Sequence, residues 1–315
     1  MSDVEVGASE DWCREHARVV ARSFYRGMNL TPADRRAGLF AVYAWMRAAD
    51  DAADDLSADE ALPALTAMRV RTERIFAGRW DGRAASDLAV TPSERGRPAQ
   101  RFWPAFASAV ASFPLRGVWF DDMLDGLESD AVALPGEVRF AHSSALATYR
   151  HRVGGVVGLA CTALWGVREA GMWGEALHLA DARGRAFQLI NIARDIGADW
   201  KVGRVYVPRS ALERHGVSAA MLASWEPSGA CAALIRGLVR HARAELVQTW
   251  RYERLLAPDC AAAAWALKAS YQGIAEVLEN DPERAVCGRR ARPPKWAKAL
   301  IAARALTMRP WMVNA

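Results

Sequence analysis

Apolar residues recur at intervals of three and four along most of this 315-residue chain, whereas strict alternation over strand lengths is nearly absent. This periodicity predicts an all-α protein. With 52% hydrophobic and 24% charged residues, the chain can bury a large core in one domain or two. We predict helices near residues 10–27, 32–53, 58–78, 101–110, 115–129, 141–167, 173–199, 217–256, 259–280 and 295–307.

The remaining composition excludes several classes of protein. Residues 81–100 are rich in Gly, Pro, Ser and Arg and are predicted to form a mobile loop. No uncharged apolar run reaches the roughly 18 residues of a membrane span. The first five residues show no signal-peptide pattern. The net charge of +5 is spread along the chain, so we expect no nucleic-acid partner.

The five cysteines are scattered singly, with no pair at the spacing of a zinc site. Their odd number also argues against a disulfide framework. We therefore expect a cytoplasmic protein in a reducing compartment.

Two predicted helices each carry a polar cluster close to their C-terminal end. The first cluster has Arg47, Asp50 and Asp54 at spacings of three and four. The second has spacings of three, four and four, with members Gln188, Asn191, Asp195 and Asp199. Such spacings place the members of each cluster on one face of a helix.

Folding alone does not favour these aspartates. Like charges four residues apart cost about 0.2–0.5 kcal/mol in an isolated helix, and the negative end of the helix dipole also disfavours carboxylates. A solvated helix end explains one such cluster, but finding the arrangement twice within apolar sequence indicates a function. Carboxylates without nearby His or Cys suit Mg²⁺, which typically combines one or two carboxylates with waters and substrate phosphate oxygens.

Longer motifs around both clusters resemble the squalene/phytoene synthase family. The motif "YAWMRAADDAADD" at 43–55 is similar to the first aspartate-rich motif of the family. The motif "QLINIARDIGADWKVGRVYVP" at 188–208 is similar to the second. The resemblance covers roughly residues 20–280 and includes "SFYRGMNLTPADRRAGLFAVYAW" and "TYRHRVGGVVGLA". The chain departs from the family at Met46, usually Cys, at Ala198, usually an acid, and at Ala21, usually Ser.

The resemblance implies a fold and an activity. The expected fold is a single all-α isoprenoid-synthase domain over residues 1–315, with a central cavity. The expected activity is the Mg²⁺-dependent head-to-head condensation of two allylic isoprenoid diphosphates by a prenyltransferase. One substrate loses diphosphate, and the double bond of the other attacks the resulting carbocation to give a cyclopropyl diphosphate.

The resemblance also implies roles for individual residues. The expected catalytic residues are Asp50, Asp54, Asp195, Asp199 and Tyr149. The expected ligands of Mg²⁺, or of Mn²⁺ in its place, are Asp50, Asp54, Asn191, Asp195 and Asp199. The residues expected to bind the substrate diphosphate are Ser23, Arg47, Gln188, Arg204, Tyr206 and Tyr271.

Several of these side chains also have an ordinary structural interpretation. Arg47 and Arg204 can form surface ion pairs. Tyr149 and Tyr271 can be core tyrosines with one satisfied hydroxyl. Ser23 can bond to local backbone, and Gln188 can act as a structural bridge.

Substrate length is the least determined feature. The sequences "SFYRGM" and "MRAADDAADD" favour two C15 farnesyl diphosphates, giving presqualene diphosphate or squalene, over two C20 geranylgeranyl diphosphates, giving phytoene. Outside this activity, the alternatives are a non-catalytic binding or assembly protein on the same fold and a terpene cyclase or chain-elongating prenyltransferase. No dinucleotide fingerprint is present, so a requirement for NADPH stays open.

The C-terminal segment 293–315 combines Lys295, Lys298, Arg304 and Arg309 with apolar residues at helical spacing. A terminal helix docked on the core is the favoured interpretation. The alternative is peripheral association with a membrane, in which the apolar face inserts and the cations lie near anionic headgroups.

Overall fold

Helices form nearly all of the regular structure in a computed structural model that describes residues 3–21, 23–80 and 101–307. The side chains of Ser23, Phe24 and Arg26 are also outside the described part. The predicted mobile loop at 81–100 and the last eight residues of the C-terminal segment lie outside the described residues. Within the described ranges, strand pairing is limited to two isolated bridges, Val138–Val205 and Val167–Leu256.

The all-α prediction is confirmed, and most helix bounds agree with the sequence pattern. The predicted helix at 10–27 is wrong as a single element, because the chain there forms two helices, Asp3–Val20 and Ser23–Met28, with a turn at residue 21. A π-helical turn lies at His151–Gly155, and short 3₁₀ turns lie at Ala170–Met172 and Pro282–Ala285. The α-helices are α1 Asp3–Val20, α2 Ser23–Met28, α3 Ala33–Asp55, α4 Ala58–Phe76, α5 Trp103–Ser112, α6 Gly117–Ala131, α7 Ser143–Arg150, α8 Val156–Trp165, α9 Trp173–Lys201, α10 Arg209–Arg214, α11 Ala219–Ser224, α12 Ser228–Gln248, α13 Tyr252–Leu255, α14 Ala261–Asn280 and α15 Lys295–Thr307.

The predicted helix at 217–256 is wrong as a single element, because the chain there forms α11, α12 and α13. Trp225 ends α11 in the left-handed conformation, with φ of 64°, and Pro227 precedes the first residue of α12. Proline lacks a backbone N–H and cannot continue a helix through its interior. The pattern also missed α10, whose six residues are too few for a clear periodicity.

Two groups of buried side chains form the core. The first is centred on Trp45 of α3, whose indole N–H donates to Thr72 Oγ1 at 2.9 Å and whose ring meets Phe120 edge-on at 4.8 Å. The second lies between α9, α12 and α14 and includes the fully buried Ile190 and Ile235. Helix α9 packs against both α8 and α12, so it runs between the two groups.

Backbone contact fixes α9 against the π-helical turn. A Cβ atom on Gly184 of α9 would lie 2.1 Å from the carbonyl oxygen of Gly154. Gly158 of α8 is equally close to α9, since its Cβ would lie 2.3 Å from the carbonyl oxygen of Ala180. These contacts are possible only for residues without a side chain, and they place the polar face of α9 beside α8. In the described part of the chain, no helix is long and apolar enough to cross a membrane.

We predict that Gly184→Ala destabilises the protein by about 1–3 kcal/mol, the usual cost of overpacking a rigid core. The matched control is Gly174→Ala on the same helix, where an added Cβ meets nothing within 4 Å. The control should be neutral or should stabilise by up to about 1 kcal/mol, because alanine is the better helix former. Urea denaturation followed by circular dichroism measures both, and equal effects of the two substitutions would contradict the contact.

Candidate active site

A mostly apolar cavity of about 120 Å³ lies between α8, α9, α13 and α14. Its wall includes the aromatic side chains Trp165, Phe187, Tyr252 and Tyr271. Other lining residues are aliphatic or small: Val153, Gly154, Val157, Gly158, Cys161, Ala180, Gly184, Ala264 and Leu267. The polar lining comes from Arg183, Gln188 and Asn191, all on α9. Two of these three, Gln188 and Asn191, belong to the predicted second cluster.

Asn191 has an acceptor atom with no partner. Its Nδ2 donates to Gln188 Oε1 at 3.2 Å and to the hydroxyl of Tyr271 at 3.4 Å. The Tyr271 ring in turn stacks on Phe187, with centroids 3.9 Å apart. Asn191 Oδ1 is buried and accepts no hydrogen bond. A buried acceptor without a partner is costly and suggests a group that binds there.

Arg204 joins the two aspartate clusters. Its guanidinium pairs with the Asp54 carboxylate at the end of α3 and donates to the carbonyl oxygen of Ala53 at 2.9 Å. Arg204 follows α9 by three residues, so this pair holds the C-terminal ends of α3 and α9 together. Within the first cluster, Arg47 pairs with Asp50 at 2.9 Å, and it also pairs with the neighbouring Asp51.

The turn after α9 explains the glycine that precedes Arg204. Gly203 has φ of +78°, and a Cβ there would lie 2.9 Å from Cα of Pro135. Its carbonyl oxygen accepts a hydrogen bond from the Gly136 N–H at 2.7 Å. Because a left-handed backbone without a side chain favours glycine, this residue fixes the direction in which Arg204 and Tyr206 leave the helix.

Asp130, which sequence reasoning missed, organises two of the predicted tyrosines. The hydroxyl of Tyr149 donates to Asp130 Oδ2 at 2.8 Å, and that of Tyr206 donates to Asp130 Oδ1 at 3.0 Å. Arg139 completes the set through an ion pair with the same carboxylate. A signal was available, because Asp130 follows Met123 and Leu127 at spacings of seven and three on the buried face of α6.

Asp195 is held by two arginines, of which sequence reasoning anticipated neither. Arg194 Nε donates to Asp195 Oδ1 at 2.8 Å, and Arg290 reaches the same carboxylate from beyond α14 with contacts of 3.2 and 3.1 Å. Burial acts to raise the pKa of Asp195, but hydrogen bonds and positive charge from the two arginines bring it below its usual value. Asp195 is therefore ionised near neutral pH.

Comparison with known proteins identifies the family of the chain. A profile of the squalene/phytoene synthase family matches residues 17–297. The chain belongs to this family. It is 30% identical over 291 residues to the chloroplastic phytoene synthase 3 of Zea mays, an alignment that covers 91% of this chain and 63% of the maize protein. It is 29% identical to the 15-cis-phytoene synthase of Synechococcus elongatus, covering 91% of this chain and 88% of that protein.

The fold agrees with that assignment. A crystal structure of a dehydrosqualene synthase in complex with ligand superposes with a TM-score of 0.80, at 22% identity, covering 96% of this chain and 97% of the other. The predicted family membership and the predicted isoprenoid-synthase fold are thereby confirmed. Members of the squalene/phytoene synthase family are prenyltransferases, which is the enzyme class that the sequence predicted.

The structure brings most of the expected site residues of this family member together. Asp50 and Asp199 are both electrostatic neighbours of Asp54 and of Asp130, and Asp199 also lies near Asp195. Gln188, Asn191 and Tyr271 lie at the cavity, and Arg47, Arg204, Tyr149 and Tyr206 lie among the aspartates. Ser23 begins α2, but its side chain lies outside the described residues. Ala198, where the family usually has an acid, is exposed.

Two of the clustered carboxylates have strongly raised pKa values. Burial and the neighbouring charge of Asp54 raise the pKa of Asp50 to about 7. Burial and the charge of Asp195 raise the pKa of Asp199 to about 7. The side chain of Asp50 keeps 39% of its surface exposed, so its environment is a recess open to water on one side. Such shifts indicate negative charge that the arginines only partly offset.

The donor set fits a hard divalent cation. Carboxylate oxygens and the unpartnered Asn191 Oδ1 supply only oxygen ligands, which Mg²⁺ prefers. Within the described ranges, no three His, Cys, Asp or Glu side chains converge closely enough to hold a metal ion alone. Mg²⁺ commonly binds through one or two carboxylates plus substrate phosphates. These residues therefore fit a Mg²⁺ ion that binds together with a diphosphate.

The raised pKa of Asp50 predicts a pH-dependent stability. An unfolded aspartate titrates near pH 3.9, so a folded pKa of about 7 gives a stabilising contribution that is complete at low pH and is lost as pH rises through 7. In EDTA, Asp50→Asn should therefore melt higher than the wild type at about pH 8.5 and closer to it at about pH 5.

Differential scanning calorimetry across this range provides the measurement, and Asp59→Asn, an exposed carboxylate on α4, is the control. The difference in melting temperature between the control and the wild type should be the same at about pH 5 and at about pH 8.5. The raised pKa would be contradicted if the wild type melts higher than Asp50→Asn and this difference grows as the pH rises.

Proposed function

We propose that this protein catalyses the head-to-head condensation of two allylic isoprenoid diphosphates with release of diphosphate. The observation that carries the proposal is the Arg204–Asp54 pair, which joins the two aspartate clusters near an apolar cavity. A charged site beside an apolar cavity matches a substrate with a diphosphate head and a hydrocarbon tail. Because the clusters come from distant parts of the sequence, we also propose that the chain acts as one domain.

The residues proposed to hold Mg²⁺, or Mn²⁺ in its place, are Asp50, Asp54, Asn191, Asp195 and Asp199. When bound, the ion supplies Lewis-acid neutralisation of the charge that develops on the departing diphosphate. Asn191 Oδ1 supports this assignment, because it is a buried acceptor that no donor among the described residues satisfies.

Arginines of the site are proposed to bind the diphosphate. Arg47, Arg204 and Arg290 each pair with an aspartate of the two clusters. A guanidinium binds phosphate oxygens with the same two-pronged geometry that it uses for carboxylates. We propose that these arginines exchange carboxylate for diphosphate oxygens when substrate binds, which frees the aspartates for the cation.

The cavity is proposed to hold the hydrocarbon chains and exclude water from the carbocation. In the reaction, the C1–O bond breaks with its electron pair leaving on diphosphate, and the double bond of the second substrate attacks C1. The new carbocation then loses a proton to the released diphosphate as the cyclopropane ring closes. Water would compete for that carbon, so an apolar wall protects the reaction. The stacked rings of Phe187 and Tyr271 offer π faces near the polar end of the cavity.

Tyr149 and Tyr206 are proposed to act together through Asp130. Both hydroxyls donate to this buried carboxylate, and their rings stack with centroids 5.3 Å apart. Burial raises the pKa of Asp130. The arrangement holds both tyrosines in fixed orientations around Asp130, whose charge acts on Asp50 and Asp199.

For the substrate, we propose two C20 geranylgeranyl diphosphates, with phytoene as the product. The support comes from the relatives in maize and Synechococcus elongatus, which carry the name phytoene synthase. The second candidate is the C15 reaction to presqualene diphosphate or squalene, which the aspartate motif at 46–55 favours.

Assays with each substrate, with and without NADPH, test the proposed chain length. Purified protein with Mg²⁺ should convert geranylgeranyl diphosphate to a C40 hydrocarbon more efficiently than it converts farnesyl diphosphate. NADPH should not be required for that product. A higher kcat/KM for farnesyl diphosphate would select the C15 candidate, and no head-to-head product from either substrate would refute the proposed function.

Asp54→Asn and Asp195→Asn should each lower kcat by at least about 10²-fold, the scale of losing one group that stabilises developing charge. Both substitutions keep the side-chain shape, so the circular dichroism spectrum should not change. Asp59→Asn, an exposed acid on α4, is the matched control and should retain full activity. Near-wild-type kcat in either cluster variant at saturating Mg²⁺ would remove that residue from the site.

A further inference from the structure

Helix α15 is apolar on two opposite faces, and only one of them is covered. The inward face packs on α14 through Ala297, Ile301 and Ala305, of which Ala305 is buried. Two contacts fix the helix there. The Arg304 guanidinium lies 5.2 Å from the centre of the Trp265 ring, and Pro293 packs against Gly273 just before the helix begins. The favoured sequence prediction, a terminal helix docked on the core, describes this inward face.

The outward face exposes large apolar side chains. Trp296 is 71% exposed, Leu300 is 62% exposed and Leu306 is 76% exposed. The exposed residues between them are small and apolar: Ala299, Ala302 and Ala303. At 3.6 residues per turn, these six residues span nearly half of the helix circumference, an arc that also contains Lys295 and Thr307 at the two ends of the helix. Large apolar side chains that cluster on one exposed face mark an interaction site, and within the described residues no other segment covers this face.

Positive charge surrounds this face. Residues 289–307 contain only cationic charges and no Asp or Glu, and the cations are Arg289, Arg290, Arg292, Lys295, Lys298 and Arg304. On the helix, Lys298 and Arg304 fall at the two borders between the inward and outward faces. An apolar stripe with cations along its borders is the arrangement of helices that lie in a membrane interface.

A second copy of the chain fits this face less well. A stable interface between proteins buries about 800 Å² on each partner and uses about 20–30 residues a side, whereas the outward face offers six residues on a helix about 20 Å long. Two copies would also bring two cationic segments together. An anionic lipid surface meets both the apolar stripe and the charge.

We propose that the outward face of α15 binds the surface of an anionic lipid bilayer. Trp296, Leu300 and Leu306 insert into the headgroup region, and the exposed Lys295 at the start of the helix lies near lipid phosphates. Tryptophan is well suited to this depth, because its ring is apolar and its N–H is polar. This inference concerns binding alone and does not rest on the proposed reaction.

Co-sedimentation of the full chain with vesicles tests the proposal. The wild type should bind vesicles containing about 30% phosphatidylglycerol and should not bind pure phosphatidylcholine, because surface charge attracts the cations. About 0.5 M NaCl should weaken binding, since salt screens that attraction. The double variant Trp296→Ser/Leu300→Ser should lower the partition coefficient at least about tenfold, because binding scales with the apolar area inserted.

The matched control is Trp250→Ser, at another exposed tryptophan that is 56% exposed and flanked by Arg251 and Arg254. This control should bind vesicles as the wild type does. Two further measurements are the molar mass in solution, by light scattering after gel filtration, and the melting temperature. Neither should differ between the α15 variant and the wild type.

Equal vesicle binding by the wild type and the α15 variant, or no binding by either, would overturn the proposal. So would an equal loss in Trp250→Ser. A dimer that the α15 substitutions dissociate in the absence of lipid would assign the outward face to a second copy instead. If the double variant melts lower than the wild type, Leu306→Ser alone repeats the test at the most exposed of the three positions.

Discussion

Repulsion between carboxylates is the interaction on which the rest of this site depends. Helices α3, α6 and α9 bring five aspartates together, so that, in addition to burial, the charges of Asp54 and Asp130 raise the pKa values of Asp50 and Asp199. The charge of Asp195 also raises the pKa of Asp199. The arrangement costs stability, because burial and like charge both disfavour the ionised forms. Arginines offset part of this cost in the described structure. A cation accompanied by a diphosphate would offset the rest, which connects an unfavourable feature of the fold to the proposed chemistry.

The rest of the molecule holds this charge beside an apolar cavity. Close contact between Gly184 and Gly154 sets the position of α9, and α9 carries the cavity-lining amides and both second-cluster aspartates. The turn at Gly203 then returns Arg204 to Asp54. Polar and apolar parts of one site are thus built on a single helix, with the aspartates toward its C-terminus and the cavity-lining residues toward its middle.

Local sequence pattern was sufficient for most of the helices and for the placement of each aspartate cluster on one helix face, because both depend on spacing within one segment. It was insufficient where a partner comes from far along the chain. The local spacing of Asp130 shows that it lies on the buried face of α6, but no local spacing shows which distant residues Asp130 and Arg290 contact. In α15, the apolar spacing could not show that one face is docked and the other exposed. Pro227 was visible in the sequence, but the continuous periodicity on either side of it hid the break.

The most direct test of the central claim is the melting temperature in the presence of Mg²⁺ and inorganic pyrophosphate. If the aspartates exist to hold a cation with a diphosphate, the two ligands together should raise the melting temperature by a few degrees, as ligand binding at about 100 times Kd does. Each ligand alone should have much less effect, and Asp54→Asn/Asp199→Asn should abolish the joint effect. An unchanged melting temperature with both ligands, or an equal rise in the double variant, would contradict the account.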